Sequence, residues 1–68
     1  MPVIQVFLWK GFSEEKIKEV ISGITDVFVK MGIPARAVEI LINEIPKTHW
    51  GIEGKLASES MKDVEPPR

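Results

Sequence analysis

The amino group of Pro2 is the group in this 68-residue chain best suited to chemistry. Methionine that precedes a small residue such as proline is normally removed, and loss of Met1 would leave Pro2 with a free secondary amine. Such an amine is a base when it is neutral, and apolar surroundings or nearby cations disfavour its protonated form. Pro2 leads directly into an apolar run, which favours a partly desolvated amine. The residues alone leave open that Pro2 simply begins a strand.

Other catalytic groups are scarce in the sequence. There is no cysteine, which excludes a thiol nucleophile, a disulfide and a thiolate metal site. His49 is the only histidine, so it cannot form a histidine metal cluster, and nothing places it beside a serine. The chain also lacks a glycine-rich phosphate loop. We therefore expect no metal site, and the ordinary catalytic constellations are absent.

The charge pattern is balanced, with nine basic and ten acidic residues and a net charge of −1. This composition gives no electrostatic footprint for nucleic acid. No apolar run approaches the roughly 20 residues that cross a bilayer, and the start of the chain lacks the basic region of a secretory signal. We expect no nucleic-acid or membrane partner and a cytoplasmic location.

The elements that must position Pro2 begin with a β-branched and aromatic run over residues 3–9, which predicts a strand. Ser13 is suited to cap a following helix, with Glu14 and Glu15 favoured in its first turn. Gly32 is suited to its C-terminal end. Apolar residues then recur at helical steps of three and four, namely Ile17, Val20, Ile21, Ile24, Val27, Phe28 and Met31.

A second β-branched strand is predicted over residues 38–45, and the strand–helix–strand order predicts parallel strands. Residues 47–55, after Pro46, contain two glycines and predict a loop or short hairpin. We expect one domain over residues 1–58 and a flexible polar tail over residues 59–68.

Both faces of the first predicted strand are largely apolar, although one helix covers only one face. A chain of this length buries only about 60% of its unfolded surface. Small domains gain further stability from disulfides, metals or oligomerisation. Because the first two are excluded here, the sequence predicts a partner subunit on the second face.

Three segments together resemble the 4-oxalocrotonate tautomerase family: the start Pro2-Val3-Ile4-Gln5-Val6, the helix start Ser13-Glu14-Glu15-Lys16, and residues 44–57 with His-Trp-Gly-Ile-Glu-Gly. The resemblance covers residues 2 to about 58. It implies an α+β fold with a β-α-β protomer, a short C-terminal hairpin, dimers that form a four-stranded sheet, and a hexamer made of three such dimers. It also implies that the terminal proline, without a cofactor, moves a proton in an enol or unsaturated 2-keto acid.

The resemblance implies a substrate site in which two positions depart from the family pattern. An arginine is common after the turn glycine, where this chain has Phe12, and another early in the second strand, where it has Glu39. Arg36 or Lys10 could replace them in binding a carboxylate. Alternatively, neither residue binds substrate: Arg36 pairs with Glu39, and Lys10 is only a turn residue. Trp50 fits the aromatic residue that the family places over the substrate, and Phe12 could line an apolar pocket.

Three functions are consistent with these residues. The first is a tautomerase with Pro2 as general base. The second is a hydratase or dehalogenase acting on an unsaturated acid, with Pro2 protonated and Glu53 directing water. The third is a non-catalytic subunit of a hetero-oligomer, which the two missing arginines favour because a companion chain could supply them.

Overall fold

Two parallel strands and one helix form the body of the chain in the computed structural model, which describes all 68 residues. Strand β1 is Val3–Trp9, helix α1 is Glu14–Val29, and strand β2 is Glu39–Ile45. The strands pair in parallel from Val3 opposite Glu39 to Trp9 opposite Ile45. The predicted β-α-β unit is confirmed.

Helix α1 begins as its sequence predicts and ends slightly earlier. The hydroxyl of Ser13 accepts a hydrogen bond from the Lys16 backbone N–H at 3.2 Å, which caps the first turn. The last helical residue is Val29, and the side chain of Met31 is 71% exposed, so Met31 lies outside the packed face. None of the helices has the length and hydropathy needed to cross a bilayer.

The sheet has one covered and one open face. Side chains that point towards α1 are half-buried and alternate with exposed ones over residues 3–8 of β1 and residues 39–42 of β2. On the open face, Val3 is 44%, Phe7 is 55% and Leu41 is 52% exposed. Helix α1 therefore covers only one side, and the apolar open face is available for a second chain.

The C-terminal part begins with a 3₁₀ turn at Lys47–His49 and continues as a hairpin. Strand β3 is Gly51–Ile52 and pairs antiparallel with strand β4, Lys55–Leu56. The two turn residues Glu53 and Gly54 both have positive φ, at 51° and 77°, which is typical of tight hairpins. The predicted hairpin is confirmed.

A short helix α2, Ala57–Ser60, follows β4, so the predicted boundary after residue 58 falls inside it. Residues 61–68, here called the C-terminal tail, have no regular secondary structure. The tail returns to the turn after β1, where a Cβ placed on Gly11 would lie 3.2 Å from the Pro66 ring. The flexibility of this tail stays a prediction.

Candidate active site

Pro2 lies at the start of β1 and is held there through its backbone. Its carbonyl accepts a hydrogen bond from the Glu39 N–H at 3.0 Å, which fixes Pro2 against the start of β2. The ring is half-buried, whereas the side chain of Met1 is 80% exposed. Removal of Met1 would therefore cost little buried surface and leave the Pro2 amine at the edge of the sheet.

Arg36 lies at the same end of the sheet, in the 3₁₀ turn Ala35–Ala37 that leads into β2. Its side chain is exposed and forms no ion pair, and the pair with Glu39 that the sequence suggested does not form. This end of the molecule thus combines the Pro2 nitrogen with a guanidinium that is free to bind an anion.

The opposite end of β1 carries an apolar groove of about 300 Å³. The rings of Trp9 and Trp50 meet edge to face there, with centroids 6.0 Å apart and planes at 77°. Phe12 also lines the groove. The other lining residues come from β1 and the C-terminal tail: Phe7, Leu8, Val64, Glu65, Pro66 and Pro67.

The backbone of Trp50 is fixed on both sides. Its N–H donates to the Lys47 carbonyl at 3.3 Å, and its carbonyl accepts from the Ala57 N–H at 2.8 Å. Ala57 is the only fully buried residue of the chain. The burial of Ala57 could not be predicted, because an alanine after a predicted hairpin carries no chemical signal.

Lys47 contacts both the C-terminal tail and the Trp9 ring of the groove. Its Nζ donates to the Met61 carbonyl at 2.6 Å and also to the Val64 carbonyl. The same ammonium lies 4.8 Å from the ring centroid of Trp9, within reach of a cation–π interaction. This role of Lys47 could not be predicted from residue types, because the acceptors are backbone carbonyls that every residue carries.

Replacing Lys47 with methionine is expected to lower the free energy of unfolding by about 1–2 kcal/mol, because two charge-assisted hydrogen bonds and a cation–π contact are lost. Urea unfolding followed by tryptophan fluorescence measures this, since Trp9 and Trp50 are the two tryptophans. Lys55→Met is the matched control, because Lys55 is exposed and forms no ion pair. An equal loss in both variants would contradict the role of Lys47.

The two groups of candidate residues lie at opposite ends of β1. Seven strand steps separate Pro2 from Trp9, which corresponds to about 23 Å. Lys10 lies at the Trp50 end, where its N–H donates to the Ile45 carbonyl at 2.9 Å, but its exposed side chain does not line the groove. One small substrate therefore cannot contact Pro2 and Trp50 of the same chain.

Comparison with known proteins identifies the family. A family model described as "Tautomerase enzyme" matches residues 2–60 of this chain. The chain belongs to the tautomerase family. The 2-hydroxymuconate tautomerase of Comamonas testosteroni is 40% identical over 60 residues, which is 87% of this chain and 95% of that protein. The family and its named relatives support an isomerase of the 4-oxalocrotonate tautomerase type.

Solved structures of the family share the fold. A 4-oxalocrotonate tautomerase isozyme from Methylibium petroleiphilum has a TM-score of 0.84 and 28% identity, covering 93% of this chain and all (100%) of its own. A heterohexamer 4-oxalocrotonate tautomerase from Chloroflexus aurantiacus J-10-fl has a TM-score of 0.80 and 25% identity, covering 87% of this chain and 97% of that one. The match to a heterohexameric relative is consistent with oligomer formation by this tautomerase.

Proposed function

We propose that this tautomerase isomerises an enol or unsaturated 2-keto acid with the Pro2 amine as general base, after removal of Met1. The position of Pro2 carries the proposal. Its carbonyl is bonded to Glu39 at the start of the sheet, while its nitrogen stays at the edge beside an exposed Met1. A base must lie within hydrogen-bond reach of the proton it takes, and a substrate can approach from this edge.

The proposed reaction is a proton transfer within one molecule. The neutral Pro2 nitrogen takes the proton from the enol O–H of a 2-hydroxydienoate, which leaves a dienolate and a protonated amine. The amine then returns that proton to a distal carbon, which completes the 2-keto acid and restores the base. Arg36 would hold the carboxylate and stabilise the developing negative charge.

The separation of the two ends supports a site built by two chains. Pro2 and Arg36 of one chain would meet the Trp50 groove of another, because about 23 Å separates the ends within one chain. The open face of the sheet, with Val3, Phe7 and Leu41 exposed, supports self-association. We propose a homo-oligomer in which dimers form four-stranded sheets and three dimers form a hexamer.

The structure gives no support to the water-directing role of Glu53. Its side chain is exposed at the tip of the hairpin and does not line the groove. The hypothesis of a structural subunit differs from the tautomerase proposal in one respect that can be measured. It predicts that this chain is inactive without a companion chain.

Ketonisation by the purified chain alone tests the proposal. With Met1 shown to be absent by intact mass, the protein should ketonise phenylenolpyruvate, 2-hydroxymuconate or both faster than buffer. A rate no higher than buffer on both compounds would contradict the proposal and favour the structural-subunit hypothesis.

Replacing Arg36 with glutamine is expected to reduce kcat/KM about tenfold, mainly through a higher KM, because a charge-assisted contact to the carboxylate is lost. Steady-state kinetics on the better substrate measure the split between kcat and KM. Lys30→Gln removes one positive charge from an exposed residue at the end of α1 and should leave both constants unchanged. Unchanged kinetics in Arg36→Gln would remove Arg36 from the site.

A further inference from the structure

The groove beside Trp50 offers a bound molecule apolar surface and no free cation. Glu65 is the only ionisable side chain among its lining residues. The indole N–H of Trp9 is buried without a hydrogen-bond partner, but it is an uncharged donor. Moving a carboxylate from water into such surroundings is unfavourable unless a cation or several donors pair with it. The groove therefore suits an apolar group far better than an anionic one.

Two cations near the groove are already engaged, Lys47 beside the Trp9 ring and Arg68 next to Pro67. The ammonium of Lys47 donates to the carbonyls of Met61 and Val64. The guanidinium of Arg68 lies 3.5 Å from the carboxylate of Glu65, and both side chains are largely exposed. Lys10 is exposed and does not line the groove. A second carboxylate on a substrate would find no unpaired positive charge in the groove.

The C-terminal tail supplies one wall of this groove. Val64, Glu65, Pro66 and Pro67 line it, and Pro66 lies against Gly11. These residues lie beyond the part of the chain that matches the family model, which ends at residue 60. Because this wall lies outside the matched residues, it can give this chain a substrate specificity that differs from that of other family members.

We infer that this enzyme prefers planar enol acids with one carboxylate and an apolar, ring-sized substituent over dicarboxylate substrates. The inference rests on the proposed function. The single carboxylate and the enol lie at the Pro2 and Arg36 end of one chain, and the substituent enters the Trp50 groove of another. An apolar cavity of about 150 Å³ accommodates benzene, so a groove of about 300 Å³ has room for a phenyl ring.

Relative activity on two enol acids tests the inference. The kcat/KM of the purified oligomer is measured on phenylenolpyruvate and on 2-hydroxymuconate, each divided by its uncatalysed ketonisation rate in the same buffer. We expect the ratio of the normalised kcat/KM on phenylenolpyruvate to that on 2-hydroxymuconate to be about ten or more. A ratio of one or less overturns the inference and leaves the proposed function intact. Absence of activity on both compounds contradicts the proposed function itself.

Placing a cation in the groove should shift this preference. Phe12→Arg is expected to raise kcat/KM on 2-hydroxymuconate about fivefold or more relative to phenylenolpyruvate. Ser22→Arg adds the same charge on the exposed surface of α1 and should leave the ratio unchanged. An equal shift in both variants overturns the placement of the substituent in the groove.

A milder variant covers the case in which Phe12→Arg does not fold. Glu65→Gln removes the only acid of the lining and should raise relative activity on 2-hydroxymuconate about twofold, a small effect because Glu65 is exposed and paired. Asp63→Asn is the matched control, because Asp63 lies in the same tail but outside the lining. A ratio that does not change in Glu65→Gln, or changes equally in Asp63→Asn, counts against the groove as the binding site.

Discussion

Replacing Pro2 with alanine is expected to lower kcat about 100-fold or more, since general base catalysis typically contributes 10²- to 10⁴-fold. Alanine keeps a terminal amine after loss of Met1, but that amine is primary and lacks the ring that fixes its direction. The bond from the Glu39 N–H to the residue 2 carbonyl should persist, because it does not involve the side chain. Steady-state ketonisation, with intact mass to confirm removal of Met1, measures the loss.

Pro34→Ala is the control for this substitution. Pro34 is exposed and precedes the 3₁₀ turn Ala35–Ala37, so its replacement should leave kcat within about twofold of wild type.

Wild-type activity should also fall as the pH is lowered, because protonation of the Pro2 amine removes the base. A reaction that needs a protonated Pro2, as in the hydratase hypothesis, would show the opposite trend. Full activity in Pro2→Ala would refute the proposed mechanism.

Replacing Leu41 with lysine is expected to dissociate the oligomer and abolish measurable activity. Leu41 is 52% exposed at the centre of the open sheet face, opposite Gln5 in the β1–β2 pair. Covering this face with a second chain would bury the lysine charge without a partner, which costs several kcal/mol. Because the proposed site combines residues of two chains, loss of assembly would remove the site as well as the interface. Light scattering coupled to size exclusion, with activity of each fraction, measures both effects.

Met31→Lys provides the comparison for this prediction. Met31 is 71% exposed but lies after α1, away from the open sheet face. This variant should keep the wild-type mass and activity. A Leu41→Lys protein that stays oligomeric would show that the open sheet face is not the interface. A dissociated but fully active Leu41→Lys protein would show that one chain suffices for catalysis.

The β-α-β body of the fold could be predicted because the local secondary-structure preferences of its residues agree with the overall fold. The β-branched run before a capped helix predicts β1 and α1, and a second such run predicts β2 with parallel pairing. The hairpin was predictable from its two glycines. The end of α1 was placed too late, because the spacing of Met31 fits a helix although its side chain has no partner.

The candidate site was only partly predictable. Phe12 and Trp50 both line the groove, and their roles in substrate binding stay predictions. The division of the site between the two ends of β1 could not be read from residue types, since it depends on strand direction and length. The role of Lys47 was also hidden, because its partners are backbone carbonyls of a tail that has no sequence signature.

The division of the site between two chains is tested most directly by mixing two defective variants. Pro2→Ala and Trp50→Ala chains, unfolded together and refolded as mixed oligomers, should regain activity, because some sites then combine an intact Pro2 with an intact Trp50. If equal amounts of the two chains assemble at random, about one quarter of the sites contain both an intact Pro2 and an intact Trp50. We therefore predict about one quarter of wild-type activity. Mixed oligomers, verified by native mass spectrometry, that are no more active than either parent would contradict the two-chain site.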